Sequence, residues 1–523
     1  MKREDTVRVN VRKAASIPAA VGKAAAFGRK LLAKGGKRTR QAFVSPLERA
    51  AAERNKVQAF SRGYLICSSD LEVDAPDGWQ FVEMGNWKAF IDPLLPHRYS
   101  MKGDSVVLVV GEPVSSSRDN AQSPLDQRLL RMLEGRDLSA IDDEVCWQGG
   151  RYVVFAARNS DARVHVDATA SRSAFWYSKD GTLVVGSHAT LVATAAGEVS
   201  SEKARWFLTH PDYDSPAGKW LPGTVCPHDA INMVFANCCL EFVDGRSTHR
   251  RFYPAQGHRL PKLTPREAAR VMIDESSLMT RAALRQGGEP YLALTAGADS
   301  YVMLRSALRD FKAARTIAIT YHKFKTNPRH SYLDLLGANK RALALGIPHQ
   351  ILDLVPASNE RGFLDAYRES FRGWSRFPAL ACLFAKELRS DGVLFLGIGP
   401  EIGTAFYRQR DADLSGSTLA EKYTQSKMST NASLIKEFDR YIAYTELDKA
   451  DCPDLDFYDL FYWESRLSGW AAGGYSEYEL AIDVALPFNS RRIFEAMLSL
   501  PFEDRKQKKV YAMALKLLDS RKH

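Results

Sequence analysis

The residues best suited to chemistry lie between Tyr291 and Leu304, in the stretch YLALTAGADSYVML. An apolar, strand-like run meets a loop of small residues, then Asp299 and Ser300, then a helix-like run. Backbone N–H groups left unpaired at a helix start favour anions. Small residues let those groups come close to a ligand, and Thr295 and Ser300 add hydroxyl donors. The chemistry open to such a loop is the cradling of a phosphate or pyrophosphate. It is no Walker loop, since no Gly-Lys-[Ser/Thr] follows, and no dinucleotide fingerprint, since Gly-x-Gly-x-x-Gly is absent. The alternative is structural: a tight strand-to-helix turn with Asp299 as the helix cap.

Other chemistry-bearing residues are more scattered. His322, His330 and His349 flank the same region without metal-ligand spacing and read as surface or strand-end histidines. Arg466 and Trp470 stand at i and i+4 in YWESRLSGW, either as a packing pair or as a contact on the substrate side of a site. The seven cysteines, Cys67, Cys146, Cys226, Cys238, Cys239, Cys382 and Cys452, are odd in number and show no Cys-x-x-Cys spacing. They read as reduced thiols of a cytoplasmic protein without a zinc site.

The elements that must position these residues change character along the chain. From about 60 to 255 the pattern is mostly β. Turn signals at Asn159-Ser160-Asp161, Asp180-Gly181 and Asp244-Gly245 each separate two apolar runs, which predicts successive hairpins in a layered antiparallel domain. Near residue 264 the period switches. Thr264, Pro265 and Glu267 form a capping box with proline at the first helical position. Strands at 291–295, 316–320, 349–354 and 393–399 then alternate with helices at 300–311, 331–345 and 360–388, which predicts a parallel sheet covered by helices. The last ~120 residues read as mainly helical. In such sheets ligands bind at the carboxyl ends of the strands, where TAGADS stands.

Length and charge bound the rest. A chain of 523 residues with 45% apolar and 26% charged residues is expected to form two or three soluble domains. No run of about 18 apolar residues predicts a membrane span, and MKREDTVRVN lacks the apolar core of a secretory signal. The net charge of +10 resides in residues 1–40, which hold twelve Lys or Arg against two acids; the remainder has 60 of each sign. That segment reads as a solvated tail or as a ligand for an anionic membrane surface. It has no interleaved aromatics, which disfavours nucleic acid.

The order of motifs resembles the asparagine synthetase family of ATP pyrophosphatases. YLALTAGADS is similar to its SGGxDS loop and HSYLDLLGANKRALALGIPHQILDL to its next helix and strand. LFLGIGPEIGTAFYR stands where the family has LSGEGADELFGGY, and LAIDVALPFNSRRIFEAMLSLP resembles a late family segment. Upstream, GGRYVVFAARNSDARVHVDATASRSAFWYSKDGTLVVGSHATLVA resembles the glutaminase half, and KWLPGTVCPHDAINMV the linking segment. The resemblance spans roughly 60–515. It implies a basic tail at 1–59, a degenerate glutaminase-like β domain at 60–258 and an ATP-binding α/β domain at 262–523; a homodimer is compatible with this build.

The resemblance also implies roles. Thr295, Gly297, Asp299 and Ser300 would hold ATP phosphates; Leu294 and Ile319 would line the adenine pocket; Gly397 and Gly399 would approach the nucleotide. Glu401 would act with Asp299 on Mg2+. The implied reaction is adenylation of a substrate carboxylate with release of pyrophosphate, followed by displacement of AMP by a nitrogen nucleophile. The departures are as specific. Lys2 stands where the family exposes a cysteine whose own amine assists as base, Cys67 reads as a small buried residue, and glutamine hydrolysis is not expected. Ile398 and Ile402 replace two glutamates, and Ala296 replaces a glycine. The family's catalytic lysine lies beyond the corresponding end of this chain. Lys508 or Lys509 could substitute, or both could belong to a Lys-rich helix end on the surface. The expected function is thus an ATP-dependent, AMP-forming amide ligase, with a nucleotide-binding pseudoenzyme or interaction protein as the alternative.

Overall fold

Hairpin turns organise the first half of the protein as their residues require. Asn159, Asp180 and Asp244 all adopt left-handed φ, near 50°, the conformation that Asn and Asp tolerate at such turns. The computed structural model describes residues 56–115, 123–215, 218–410, 413–450 and 452–520; the basic segment 1–40 lies outside them. Twelve strands form two six-stranded antiparallel sheets. One has the order β10 (Asn232–Met233), β8 (Phe175–Lys179), β9 (Thr182–Gly186), β1 (Tyr64–Ser68), β3 (Trp87–Ile91) and β2 (Gln80–Met84). The other runs β12 (Arg246–Arg251), β11 (Cys238–Val243), β7 (Asp161–Val166), β6 (Gly149–Arg158), β5 (Ser105–Val114) and β4 (His97–Lys102). Trp87 of the first sheet meets Phe155 and Phe242 of the second edge-on, with ring centroids 5.1 and 5.9 Å apart. The two sheets therefore share one apolar layer.

The second half begins at the capping box. The Thr264 side chain accepts from the Glu267 amide, and the Glu267 carboxylate accepts from the Thr264 amide, at the start of the helix Pro265–Leu284. Five parallel strands follow in the order β15 (His349–Asp353), β14 (Ile317–His322), β13 (Pro290–Ala293), β16 (Val393–Phe395), β17 (Asp483–Ala485). The chain builds outward from β13 to β14 and β15, then returns to place β16 on its other side. The crevice between the β13 and β16 ends is thus a topological switch point, where ligands of open α/β sheets bind.

Several elements differ from the expected ones. β17, three residues long, lies inside the region read as helical; a strand that short carries no period. Helix 300–311 is two helices, Ala298–Ser306 and Leu308–Ala313, broken at Ala307 with φ −127°. Region 360–388 is likewise divided, with Phe371–Phe377 non-helical ahead of Pro378, the residue that opens Pro378–Glu387. Tyr462–Ala471 is a π-helix, a local rewinding found often at functional sites.

Residues 56–523 pack as one unit. Charged ties cross between its halves. Arg151 Nη1 and Arg172 Nη2 both donate to Glu479 Oε1, at 2.7 and 3.0 Å. Arg251 grips buried Glu464 with two nitrogens at 2.6 and 2.8 Å. Asn489 donates to the Gly150 carbonyl and to Asp167, both at 2.8 Å, and its own carbonyl accepts from the Gly150 amide. Among the described residues no helix is long and apolar enough to cross a membrane.

Candidate functional site

The loop after β13 is held in shape by its own side chains. The Thr295 amide donates to Ser300 Oγ at 3.1 Å, and the Gly297 amide to Thr295 Oγ1 at 3.0 Å. The Ala296 amide donates to Asp334 Oδ1 at 2.6 Å, reaching the helix Arg329–Leu345. Arg341, on the same helix, donates from Nη1 to the carbonyls of Thr295 (3.0 Å) and Gly297 (2.6 Å). Gly337 makes this close packing feasible, since a Cβ there would fall 2.5 Å from Ala296 Cβ.

Gly297 is the N-cap of the helix Ala298–Ser306, and no side chain caps it. Asp299 is therefore not the cap. It stands in the first turn and accepts a hydrogen bond from the Tyr511 phenol, which comes from the C-terminal helix Lys509–Ser520. The facing loop follows β16. A Cβ at Gly397 would lie 2.9 Å from both Cα and N of Ser300, so only glycine lets the two loops approach this closely. Gly399 has φ +116°, accessible to glycine alone, and donates its amide to Glu401 Oε2 at 2.8 Å. This turn aims the Glu401 carboxylate back toward Asp299.

The electrostatics follow from that placement. Burial and, next, the negative charge of Asp299 push the Glu401 carboxyl up to about 7, against hydrogen bonds from backbone amides and the attraction of Lys508. Burial also raises Asp299, opposed by the Tyr511 hydrogen bond and by Lys508. Burial, then Asp299 and Glu401, hold the Tyr511 phenol well above its ordinary range. The two half-buried carboxylates thus stand close enough for the charge of Asp299 to act on Glu401. Lys508, with left-handed φ of 55°, is the cation that acts on both.

The expected residues fall into two groups. Thr295, Gly297, Asp299, Ser300, Gly397, Gly399, Glu401 and Lys508 converge on the switch point. Lys509 turns away to pair with Asp504 at 2.5 Å. Leu294 and Ile319 are buried in the sheet and bond to each other, Leu294 N to Ile319 O at 2.9 Å, while the Leu294 carbonyl accepts from Thr320 Oγ1. His322 is the strand-end histidine of β14 and is buried: Ser331 and Asn327 flank its two ring nitrogens at 2.7 and 2.8 Å. Tyr511 and Arg341 carried no sequence signal. Asp334 lies in the segment that resembles the family's next helix.

Two carboxylates beside a phosphate-sized loop fit magnesium, which takes one or two carboxylates together with phosphate oxygens and water. Among the described residues no group of three His, Cys, Asp or Glu could hold a metal unaided.

No protein-family model matches the chain, and no curated protein matches it. Among the solved structures similar in part are the following. NMN synthetase from Francisella tularensis is 13% identical, over 35% of this chain and 73% of that one, with a TM-score of 0.18. Glutamine phosphoribosylpyrophosphate amidotransferase from B. subtilis, complexed with ADP and GMP, is 10% identical over 72% and 73%, with a TM-score of 0.23. An allosteric regulatory enzyme of purine biosynthesis is 11% identical over 74% and 75%, also at 0.23. Similarity this low says nothing of activity.

Proposed function

We propose that the protein is an ATP-dependent, AMP-forming ligase that adenylates a carboxylate and passes it to a nitrogen nucleophile without hydrolysing glutamine. The observation that carries this reading is the pairing of Asp299 and Glu401 across the switch point, with Lys508 within reach of both. Two carboxylates raised by burial, with the charge of Asp299 adding to the shift of Glu401, invite a cation. Bound there, magnesium would neutralise charge on the phosphates. The chain's own contribution is positional: the loop Thr295–Ser300 would seat pyrophosphate, Gly397 lets the two loops close, and Lys508 would offset charge on the phosphates. Cys67 cannot serve as a glutaminase nucleophile, since it is fully buried in β1 and burial pushes its thiol up to about 11.

One observation favours the second reading, a nucleotide-binding or interaction protein without turnover. The amides of Thr295, Ala296 and Gly297 are all engaged within the protein, so an incoming phosphate must displace Asp334. The test is release of pyrophosphate from ATP and magnesium in the presence of amino acids and cell extract. The ligase reading expects release that Glu401→Gln removes. Nucleotide binding with no release under any acceptor would establish the second reading.

A further inference from the structure

The π-helix Tyr462–Ala471 carries two arginine contacts that the carboxylate pair does not use. Both rest on Trp470: the Arg376 guanidinium lies 4.1 Å from its ring centre and that of Arg466 4.8 Å. Arg376 also stacks on Phe377 at 4.4 Å. Both terminal nitrogens of Arg376 are buried without a hydrogen-bond partner. The nearest carboxylate cannot serve them, because Glu477 accepts instead from the amides of Arg376 and Phe377 and from the Tyr367 hydroxyl, each at 2.7 Å. The approach of Arg376 is built in: a Cβ on Gly474 would sit 3.3 Å from its Nη1. Burial, despite Glu477, lowers the Arg376 guanidinium to about 10.

A buried cation whose terminal nitrogens lack hydrogen-bond partners is costly, and a second one beside it adds repulsion. Proteins keep such an arrangement where an anion will complete it. Arg466 is the reachable member: it is half-buried, makes no ion pair among the described residues, and lies 5.3 Å over the ring of Phe406, which is 41% exposed. Phe406 in turn packs on Tyr462 at 4.3 Å. Tyr462 feels the charges of both Glu401 and Arg466, and Tyr475 those of Glu401 and Arg376. Phe406 lies five residues after Glu401 on the same loop, so Arg466, over the Phe406 ring, stands beside the segment that carries Glu401.

Resting on the proposed ligase reading, we propose that Arg466, backed through Trp470 by Arg376, is the anion-binding subsite for the acceptor substrate, and that this substrate carries its anion on a flat apolar body lying against Phe406. Arg466 supplies the planar fork that matches a carboxylate. Phe406 supplies the exposed face that a small aliphatic acid would leave unused.

The test is calorimetric titration of the full chain with isophthalate and glutarate, two dicarboxylates that differ in their bodies, with magnesium-ATP titrated separately. Isophthalate should bind about tenfold more tightly than glutarate, Arg466→Gln should weaken it about tenfold, and Arg466→Lys less. Phe406→Ala should bring isophthalate down to the glutarate level. None of these variants should change magnesium-ATP affinity. Loss of ATP binding in the wild type, with isophthalate still bound, would remove the ligase reading and leave the subsite. Failure of the wild type to bind either acid, or equal binding by Arg466→Gln, would overturn the subsite. A melting point lowered by Arg466→Gln with no change in acid binding would show that the arginine only packs.

Discussion

Asp334 places a carboxylate oxygen 2.6 Å from the amide of Ala296, where the loop could otherwise receive an oxygen of an anionic ligand. The loop is built to hold negative charge and, as described, holds the protein's own. Replacing Asp334 with Ala should raise affinity for magnesium pyrophosphate about tenfold in titration and cost about 1.5–3 kcal/mol of stability, the range for a charge-assisted hydrogen bond. Lost stability with no pyrophosphate binding in either protein would mean that the loop is only a turn.

Asp299 should be separable from helix capping. Since Gly297 caps the helix and Asp299 accepts from Tyr511, Asp299→Ala should abolish magnesium-ATP binding while the melting temperature falls by less than a lost cap would cause, about 0.5–2 kcal/mol. Tyr511→Phe should weaken binding more mildly, because it alters only the orientation of the carboxylate. Wild-type ATP affinity in Asp299→Ala would rule out the cradle.

Glu401 gives a pH dependence of definite sign. Its folded-state carboxyl is raised from 4.5 to about 7, so the folded protein holds this proton more tightly than the unfolded chain does. Stability tied to Glu401 is present below the unfolded value and is lost as pH rises through about 7. Chemical denaturation of ligand-free protein should show a fall on the order of 2 kcal/mol between pH 5 and 8. Glu401→Gln should flatten that part of the profile. An unchanged slope in the variant would place the titrating group elsewhere.

The cysteines predict silence. All seven are buried, and burial pushes the thiols of Cys67 and Cys146 up to about 11 and of Cys226 to about 12. An aromatic disulfide reagent should label native protein only at the rate of its opening, and all seven thiols after denaturation. Purified protein should release no glutamate from glutamine. Release that a thiol blocker abolishes would restore a glutaminase.

The sequence made legible what local chemistry sets. Asp and Asn turns, the Thr264 capping box and the change of period at 264 all gave the correct element types. Asp299 and Glu401 were found through motif order, 102 residues apart in the sequence, and the switch-point topology explains how they face each other. The misses were of another kind. β17 is too short to carry a period, and Tyr511 reaches Asp299 only because the C-terminal helix packs along Ala298–Ser306. Lys508 and Lys509 are neighbours of the same type, and only the left-handed backbone at Lys508 sends one toward the crevice and the other to Asp504. The cost of Arg376 was invisible because it lies in what fails to surround it.

The ties formed by Glu479, Glu464 and Asn489 give the first half a lasting use. Expressed alone, either half would bare arginines and glutamates whose partners stay on the other piece, inviting aggregation in place of folding. The antiparallel layers would then serve as a foundation that the parallel sheet needs. Substitutions among those bridging residues would be bound to one another, tolerated only in matched pairs.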